Sequence, residues 1–219
     1  RPFPSAVLAM TRIAILTLPG FNEIDSLVAL NMLNRAEGVT AFLAGPEREA
    51  VSGNGVACTL SGSLDDLAAA DAVVVGSGRR TRDFAGDADF LSRLRLDPAR
   101  QLIAAQCSGA LILARLGLLA GLPVCTDNMT RPAIEQLGLT VTGETLSVSG
   151  NLATVGGCLA SQLLATWLLL RLLDEDATRR ALAYVVPVGE AEAWTEMLIA
   201  QARTADPANL SAIPATAAG

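Results

Sequence analysis

Gln101-Leu-Ile-Ala-Ala-Gln-Cys107-Ser-Gly-Ala-Leu-Ile-Leu-Ala114 is the stretch that decides the fold. Its first half is a continuous apolar run of strand type. The run stops at Cys107-Ser108-Gly109, and an apolar helical run begins at once. A residue at such a junction sits on a sharp turn with its side chain presented outward, as in a serine nucleophile elbow but with sulfur in place of oxygen. The N-terminus of the next helix lies beneath it and carries about half a positive charge, which favours a thiolate over a thiol. A small buried cysteine closing a core strand is the ordinary alternative. The Ser-Gly that follows and the helix opening there favour the elbow.

Working outward, similar apolar runs recur at 13–18, 39–45 and 72–75, and each is followed by a helical pattern or a turn signal. The segments 25–35, 87–96 and the elbow run through Leu119 read as helices. Ser63 with Asp66 three residues on marks a short capped helix. Further along, 124–126 reads as a short strand and 129–137 as a helix, with 139–148 and 152–155 an antiparallel excursion or a last core strand. Helices follow at 159–173, 177–185 and 190–202. Repeated β-α-β units with near-continuous apolar strands predict a doubly wound α/β fold of flavodoxin-like type. Its mainly parallel sheet carries helices on both faces. One domain is expected over 11–204, with 1–10 a leader preceding or including Met10 and 205–219 a disordered tail. Ligands of such sheets bind at the carboxyl ends of the strands. Three segments converge there: Pro19 to Asp25, Gly76 to Arg82, and Cys107-Ser108.

Composition narrows the chemistry. A net charge of −6 over 219 residues argues against nucleic acid or an anionic membrane surface as partner, and 4% aromatics leave little for base stacking. The absence of histidine removes the commonest general base, the commonest metal ligand and the usual partner of a catalytic cysteine. Cys58, Cys107, Cys125 and Cys158 are widely and irregularly spaced, which suits neither a zinc site nor a disulfide framework. Reduced thiols in a cytoplasmic protein, with no metal and no cofactor, are the expectation. No apolar run reaches the length of a membrane span.

Four stretches together are distinctive: Leu18-Pro-Gly-Phe-Asn-Glu-Ile-Asp25, Val73-Val-Val-Gly-Ser-Gly78, Ala105-Gln-Cys107-Ser-Gly-Ala-Leu-Ile-Leu-Ala, and Gly117-Leu-Leu-Ala-Gly121. In order and spacing they resemble the ThiJ/PfpI superfamily, of class I glutamine-amidotransferase-like fold. Isocyanide hydratases and the sensor domains of AraC-type regulators look nearest. The resemblance implies Cys107 as nucleophile and Asp25 as its acidic partner, with Glu23 a rival for that role. A first-turn acid favoured by the helix dipole is the plain alternative for Asp25. The resemblance also implies an oxyanion hole from the backbone of Gly76, Ser77 and Ser108, worth about 3–4 kcal/mol to a developing charge. Ser77 stands where relatives carry glycine, which is tolerable only without a positive φ. Arg79 and Arg80, with Arg82, read either as a solvated basic loop or as a positive rim for an anionic ligand. With Glu23 and Asp127, Arg79 and Arg80 make up the expected substrate-binding wall.

One departure matters. Many members carry histidine where this chain has Asp127, in Cys125-Thr-Asp-Asn128. A carboxylate cannot lower a thiol pKa as a cationic histidine does, so Asp127 is read as a relic position or helix cap. The implied function is then a cysteine-dependent enzyme acting on an electrophilic small molecule, of hydratase or lyase type. The alternative is a non-catalytic relative that senses redox state or binds a ligand through an oxidisable cysteine. A homodimer is expected from the resemblance.

Overall fold

Ile13 and Ile15 belong to one buried cluster, Ala14 and Leu16 to another, and all four are excluded from solvent. That alternation puts apolar side chains on both faces of a strand, which therefore needs helices on both sides. The computed structural model describes residues 10–210. Its six-stranded sheet is built from β1 (Thr11–Leu16), β2 (Val39–Ala44), β5 (Ala72–Val75), β6 (Leu102–Gln106), β7 (Leu146–Ser149) and β8 (Leu152–Val155). Two short strands, β3 (Glu49–Val51) and β4 (Ala57–Thr59), form a separate antiparallel hairpin.

The sheet order is β2-β1-β5-β6-β8-β7. All neighbours are parallel except β7, which runs antiparallel to β8 at the edge. This is the flavodoxin-like order, and its direction reverses between β1 and β5. The predicted doubly wound architecture is therefore the observed one. Both alternatives held open for 139–155 are present, because β8 is the last core strand and β7 folds back along it.

On one face lie α1 (Ala29–Leu33), entered through a π-helical turn at Ile24–Val28, together with α7 (Ser161–Leu172), α8 (Glu175–Val185) and α9 (Ala191–Ala205). On the other lie α2 (Leu64–Ala69), α3 (Thr81–Gly86), α4 (Ala88–Arg93), α5 (Gly109–Arg115) and α6 (Arg131–Glu135). The long α7 is buried continuously from Leu163 to Leu169, with Trp167 wholly enclosed. None of the described helices is long and apolar enough to cross a membrane.

Three expectations change. The elbow helix stops at Arg115, not Leu119, because Gly117 turns the chain at φ 75°. Val124 contributes an isolated bridge to Val141 in place of a strand. The tail expected from residue 205 is structured as far as α10 (Pro207–Leu210), where Leu210 is buried. Asp206, just before it, accepts hydrogen bonds from Trp167 Nε1 and Arg171 Nη1, each at 2.9 Å. Composition could not reveal that docking. The expected leader, apart from Met10, and residues 211–219 lie outside the described residues.

Candidate active site

Parallel pairing of β6 between β5 and β8 brings the ends of these strands to one edge of the sheet. Cys107 follows β6 directly and takes φ 46°, the one non-glycine residue with positive φ among the described residues. That conformation costs a β-carbon-bearing residue roughly 1–2 kcal/mol, and its neighbours hold it. The Cys107 N–H donates to Val155 O at 2.9 Å, and Thr126 Oγ1 donates to Cys107 O at 2.8 Å. Gly109 lets α5 begin hard against β5, since a Cβ there would come within 2.4 Å of Val75 O. The elbow expected from the sequence is thus present in backbone geometry.

The turn after β1 delivers Asp25 to the same place. Asp25 is fully buried, and one ligand atom each from Asp25, Cys107 and Cys158 lie within 4.8 Å of one another. Ser77 Oγ donates to Asp25 Oδ2, while Oδ1 has no hydrogen-bond partner among the described residues. Burial pushes the Asp25 carboxyl up, against the hydrogen bond from Ser77 and the nearby Cys107 and Cys158 thiols, which favour its charge. Burial pushes the Cys107 thiol up as well, and the neighbouring Asp25 charge adds to it. From the sequence, the thiol is expected to be lowered by the helix end and by a protonated Asp25. The actual pair sits too deep for that, and it resists carrying two negative charges.

Glu23 is drawn elsewhere. Its carboxylate accepts from Ser52 Oγ and from the Asn54 side chain, at 3.0 Å for the latter, and these bonds hold it ionised below the usual range, that from Ser52 foremost. It does not compete with Asp25, because it is tied to the β3–β4 hairpin.

Of the three backbone groups expected to stabilise an oxyanion, Gly76 is committed. Its N–H donates to Leu16 O at 3.0 Å, so it cannot also serve a ligand. The N–H groups of Ser77 and Ser108 have no such acceptor among the described residues. Ser77 is not among the residues with positive φ, the condition on which serine was tolerable there. Ser108 Oγ accepts from Gly78 N at 3.3 Å and donates to Thr81 Oγ1 at 3.0 Å, tying the loop after β5 to the elbow.

Above these groups opens a cleft of about 690 Å³. Arg79, Arg82, Glu23 and Asp127 all line it, so its rim is mixed in charge, not uniformly positive. Arg80 does not line it. Its guanidinium pairs with Asp83 at 3.1 Å and lies over the Phe84 ring, away from the cleft. Asp127 Oδ1 accepts from Met129 N and Thr130 N, each at 2.9 Å, closing the turn that leads into α6, whose N-cap is Thr130.

Sequence reasoning missed Cys158, Asn22 and Thr126. Cys158 lines the cleft, and Asn22 Nδ2 donates to its sulfur at 3.1 Å. A signal for Cys158 existed: it follows Gly156-Gly157 just after the strand that neighbours β6, so it too stands at a carboxyl end. Spacing along the chain concealed this. The two thiols and the carboxylate are also a donor set of the kind that holds a soft cation.

The sequence profile of the DJ-1/PfpI family matches residues 11–169. No curated protein matches the chain significantly. Among solved structures, a ThiJ/PfpI family protein from Pseudomonas syringae is 21% identical and superposes with a TM-score of 0.72, covering 93% of each chain. DJ-1 from Schizosaccharomyces pombe is 17% identical with a TM-score of 0.70, covering 81% of this chain and all of its own. Drosophila melanogaster DJ-1beta is 22% identical with a TM-score of 0.69, covering 78% of this chain and 95% of its own. At these identities the likeness is one of fold.

Proposed function

This chain belongs to the DJ-1/PfpI family, and within it we propose a cysteine-dependent enzyme that hydrates a small electrophile, an isocyanide being the type substrate. The supporting observation is a thiol and a buried carboxyl within 4.8 Å at a strained elbow beneath an open cleft. Cys107 is the nucleophile and Asp25 the proton carrier. In the first step the Cys107 Sγ–C bond forms, and the thiol proton passes through Asp25 to the isocyanide carbon, giving a thioimidate. Water then adds across the C=N bond, with one proton going to nitrogen. The tetrahedral adduct expels the sulfur, which recovers the hydroxyl proton, and an N-substituted formamide leaves. The Ser77 and Ser108 N–H groups stabilise the oxygen of that adduct, a contribution of about 3–4 kcal/mol for such a donor. Arg79, Glu23 and Asp127 shape the wall the substituent meets.

A proton on Asp25 removes the charge that helps hold the thiol up, so the raised pair suits a relay in which Asp25 gives its own proton to the isocyanide carbon and takes the thiol's in its place. Formamide production from an aliphatic or aromatic isocyanide by purified protein, absent in Cys107→Ala, tests the reading. No turnover by the wild type sinks it. A homodimer with each cleft near the partner chain is part of the same proposal. Ile24 and Met129 at the cleft and Leu159 beside Cys158 are large apolar side chains left exposed. A monomer in light scattering at micromolar concentration removes that part.

The second reading, a redox-responsive protein without turnover, is favoured by the second thiol beside the first.

A further inference from the structure

Cys158 takes no part in the hydration scheme, yet it is one of the groups nearest Cys107. Pairing of Gln106 with Val155 sets β6 and β8 side by side, and each strand then hands a cysteine to the same edge. The side chain is not left to wander, because Asn22 donates to its sulfur, and Asn22 is itself anchored by its own N–H to Ser77 O at 2.8 Å. It lines the cleft, so a small oxidant or reductant reaches it. All four cysteines are free, and the other two lie elsewhere. Cys58 is on the β4 strand, and the Cys125 sulfur is engaged by Thr142 Oγ1 and Glu144 O.

We propose that Cys158 is the resolving thiol of Cys107, so that oxidation of this site by a hydroperoxide ends in an intramolecular Cys107–Cys158 disulfide. The proposal rests on Cys107 being the reactive thiol of the reading above. In the first step Cys107 sulfur attacks the outer oxygen of the hydroperoxide. The O–O bond breaks, the sulfur is oxidised to sulfenic acid, and water or an alcohol leaves. In the second step Cys158 sulfur attacks the sulfenic sulfur. The S–S bond forms, the S–O bond breaks, and the hydroxyl leaves as water with the Cys158 proton.

Charge explains why the second step prevails over further oxidation. A sulfinate at Cys107 would place a permanent anion in the buried pocket beside Asp25, where no ion pair is formed among the described residues. Burying a charge without a cation is costly. The disulfide is neutral and removes two titratable groups from beside Asp25. The same consideration disfavours holding a metal, which would require the buried Cys107 thiol and the half-buried Cys158 thiol both to ionise. The sulfurs must close from within 4.8 Å to about 2 Å. Gly157, at φ 92° with open space around it, gives the chain before Cys158 room to adjust.

Intact-mass and peptide mass analysis after treatment with hydrogen peroxide, on wild type, Cys158→Ser and Cys107→Ala, tests this. The wild type is expected to lose two hydrogens, yield a cross-linked Cys107–Cys158 peptide, and regain its mass with a dithiol. Cys158→Ser is expected to gain two oxygens at Cys107, and Cys107→Ala to form no cross-link. A wild type that gains two oxygens at Cys107 with Cys158 still a free thiol overturns the resolving role and leaves a reactive Cys107 standing. A wild type whose Cys107 is inert to peroxide and to iodoacetamide overturns both. A cross-link from Cys107 to Cys58 or Cys125 also defeats the proposal.

Discussion

Asp25 and Asp206 are both buried aspartates, and they are treated in opposite ways. Asp206 lies at the far end of the chain against α7, where Trp167, Arg171 and Asn209 all donate to its carboxylate. Its charge is paired and its oxygens are satisfied, as stability requires of a buried carboxylate. Among the described residues Asp25 has the Ser77 hydroxyl on Oδ2, no hydrogen-bond donor on Oδ1, and no ion pair. The remaining buried side-chain polar atoms without a partner among the described residues belong to Ser26 and Gln106, the sequence neighbours of Asp25 and Cys107. Unsatisfied polarity and backbone strain are therefore concentrated at one place. A carboxyl that only needed to be stable would be surrounded as Asp206 is, and one that must exchange a proton is better left as Asp25 is.

The comparison is broken most sharply at the elbow. Cys107→Ala is expected to reduce formamide production to background while changing stability by only about 1 kcal/mol, measured by denaturant unfolding. An unfolded variant would mean that the sulfur is structural.

Asp25→Asn follows, with a loss of about 10²–10⁴-fold in turnover if Asp25 carries the proton. Its stability should move the other way. The folded chain holds the Asp25 proton more tightly than the unfolded chain does. Wild type therefore loses stability as pH rises from the ordinary carboxyl value of 3.8 through the raised folded value. Asn has no proton to lose, so its advantage over wild type grows across that window. Unfolding curves from about pH 4 to about pH 8 read the difference. Removing the charge should also lower the thiol, so alkylation of Cys107 by iodoacetamide is expected to begin at lower pH in the variant. Alkylation that moves to higher pH would mean that Asp25 assists thiolate formation.

Asp206→Ala is the converse test. It strands Trp167 Nε1 and takes the only carboxylate from the largely buried Arg171 guanidinium, which keeps Gly150 O and Asn151 Oδ1, and should cost about 3 kcal/mol of stability with catalytic constants of the folded fraction unchanged. A loss of turnover without loss of stability would erase the distinction between the two aspartates.

Asp127→Asn should do least. Asn keeps an oxygen where Oδ1 accepts from Met129 N and Thr130 N, so stability is expected within about 0.5 kcal/mol and turnover within about twofold. A large loss of turnover would recruit Asp127 into the proton path.

Much of this was legible along the chain. The apolar runs ending in Pro19-Gly20, Gly76-Ser77 and Cys107-Ser108 identify three strand ends, and the β-α-β alternation implies that they share one edge. The shared edge is compatible with a Cys107–Asp25 pair, but the pairing itself came from the resemblance to the ThiJ/PfpI superfamily. Glu23, two residues from Asp25, could not be separated from it, because the distinction depends on a π-helical turn that buries one carboxylate and sends the other to Ser52. Arg79 and Arg80 were equally ambiguous. One reaches the cleft and its neighbour pairs with Asp83, a difference of side-chain direction that composition does not encode.

By itself the sequence determined the doubly wound sheet and the elbow cysteine, since both rest on local signals: apolar periodicity, turn residues, and a strand that stops where a helix starts. Only the tertiary structure decided which groups surround the sulfur. The separation of Cys107 and Cys158 by 50 intervening residues vanishes when β8 pairs with β6. The state of the Cys107 thiol follows from burial and from the charge of Asp25 beside it. Proximity across a sheet and the cost of charge in a dry pocket arise only when distant segments share a volume, and no local pattern records them.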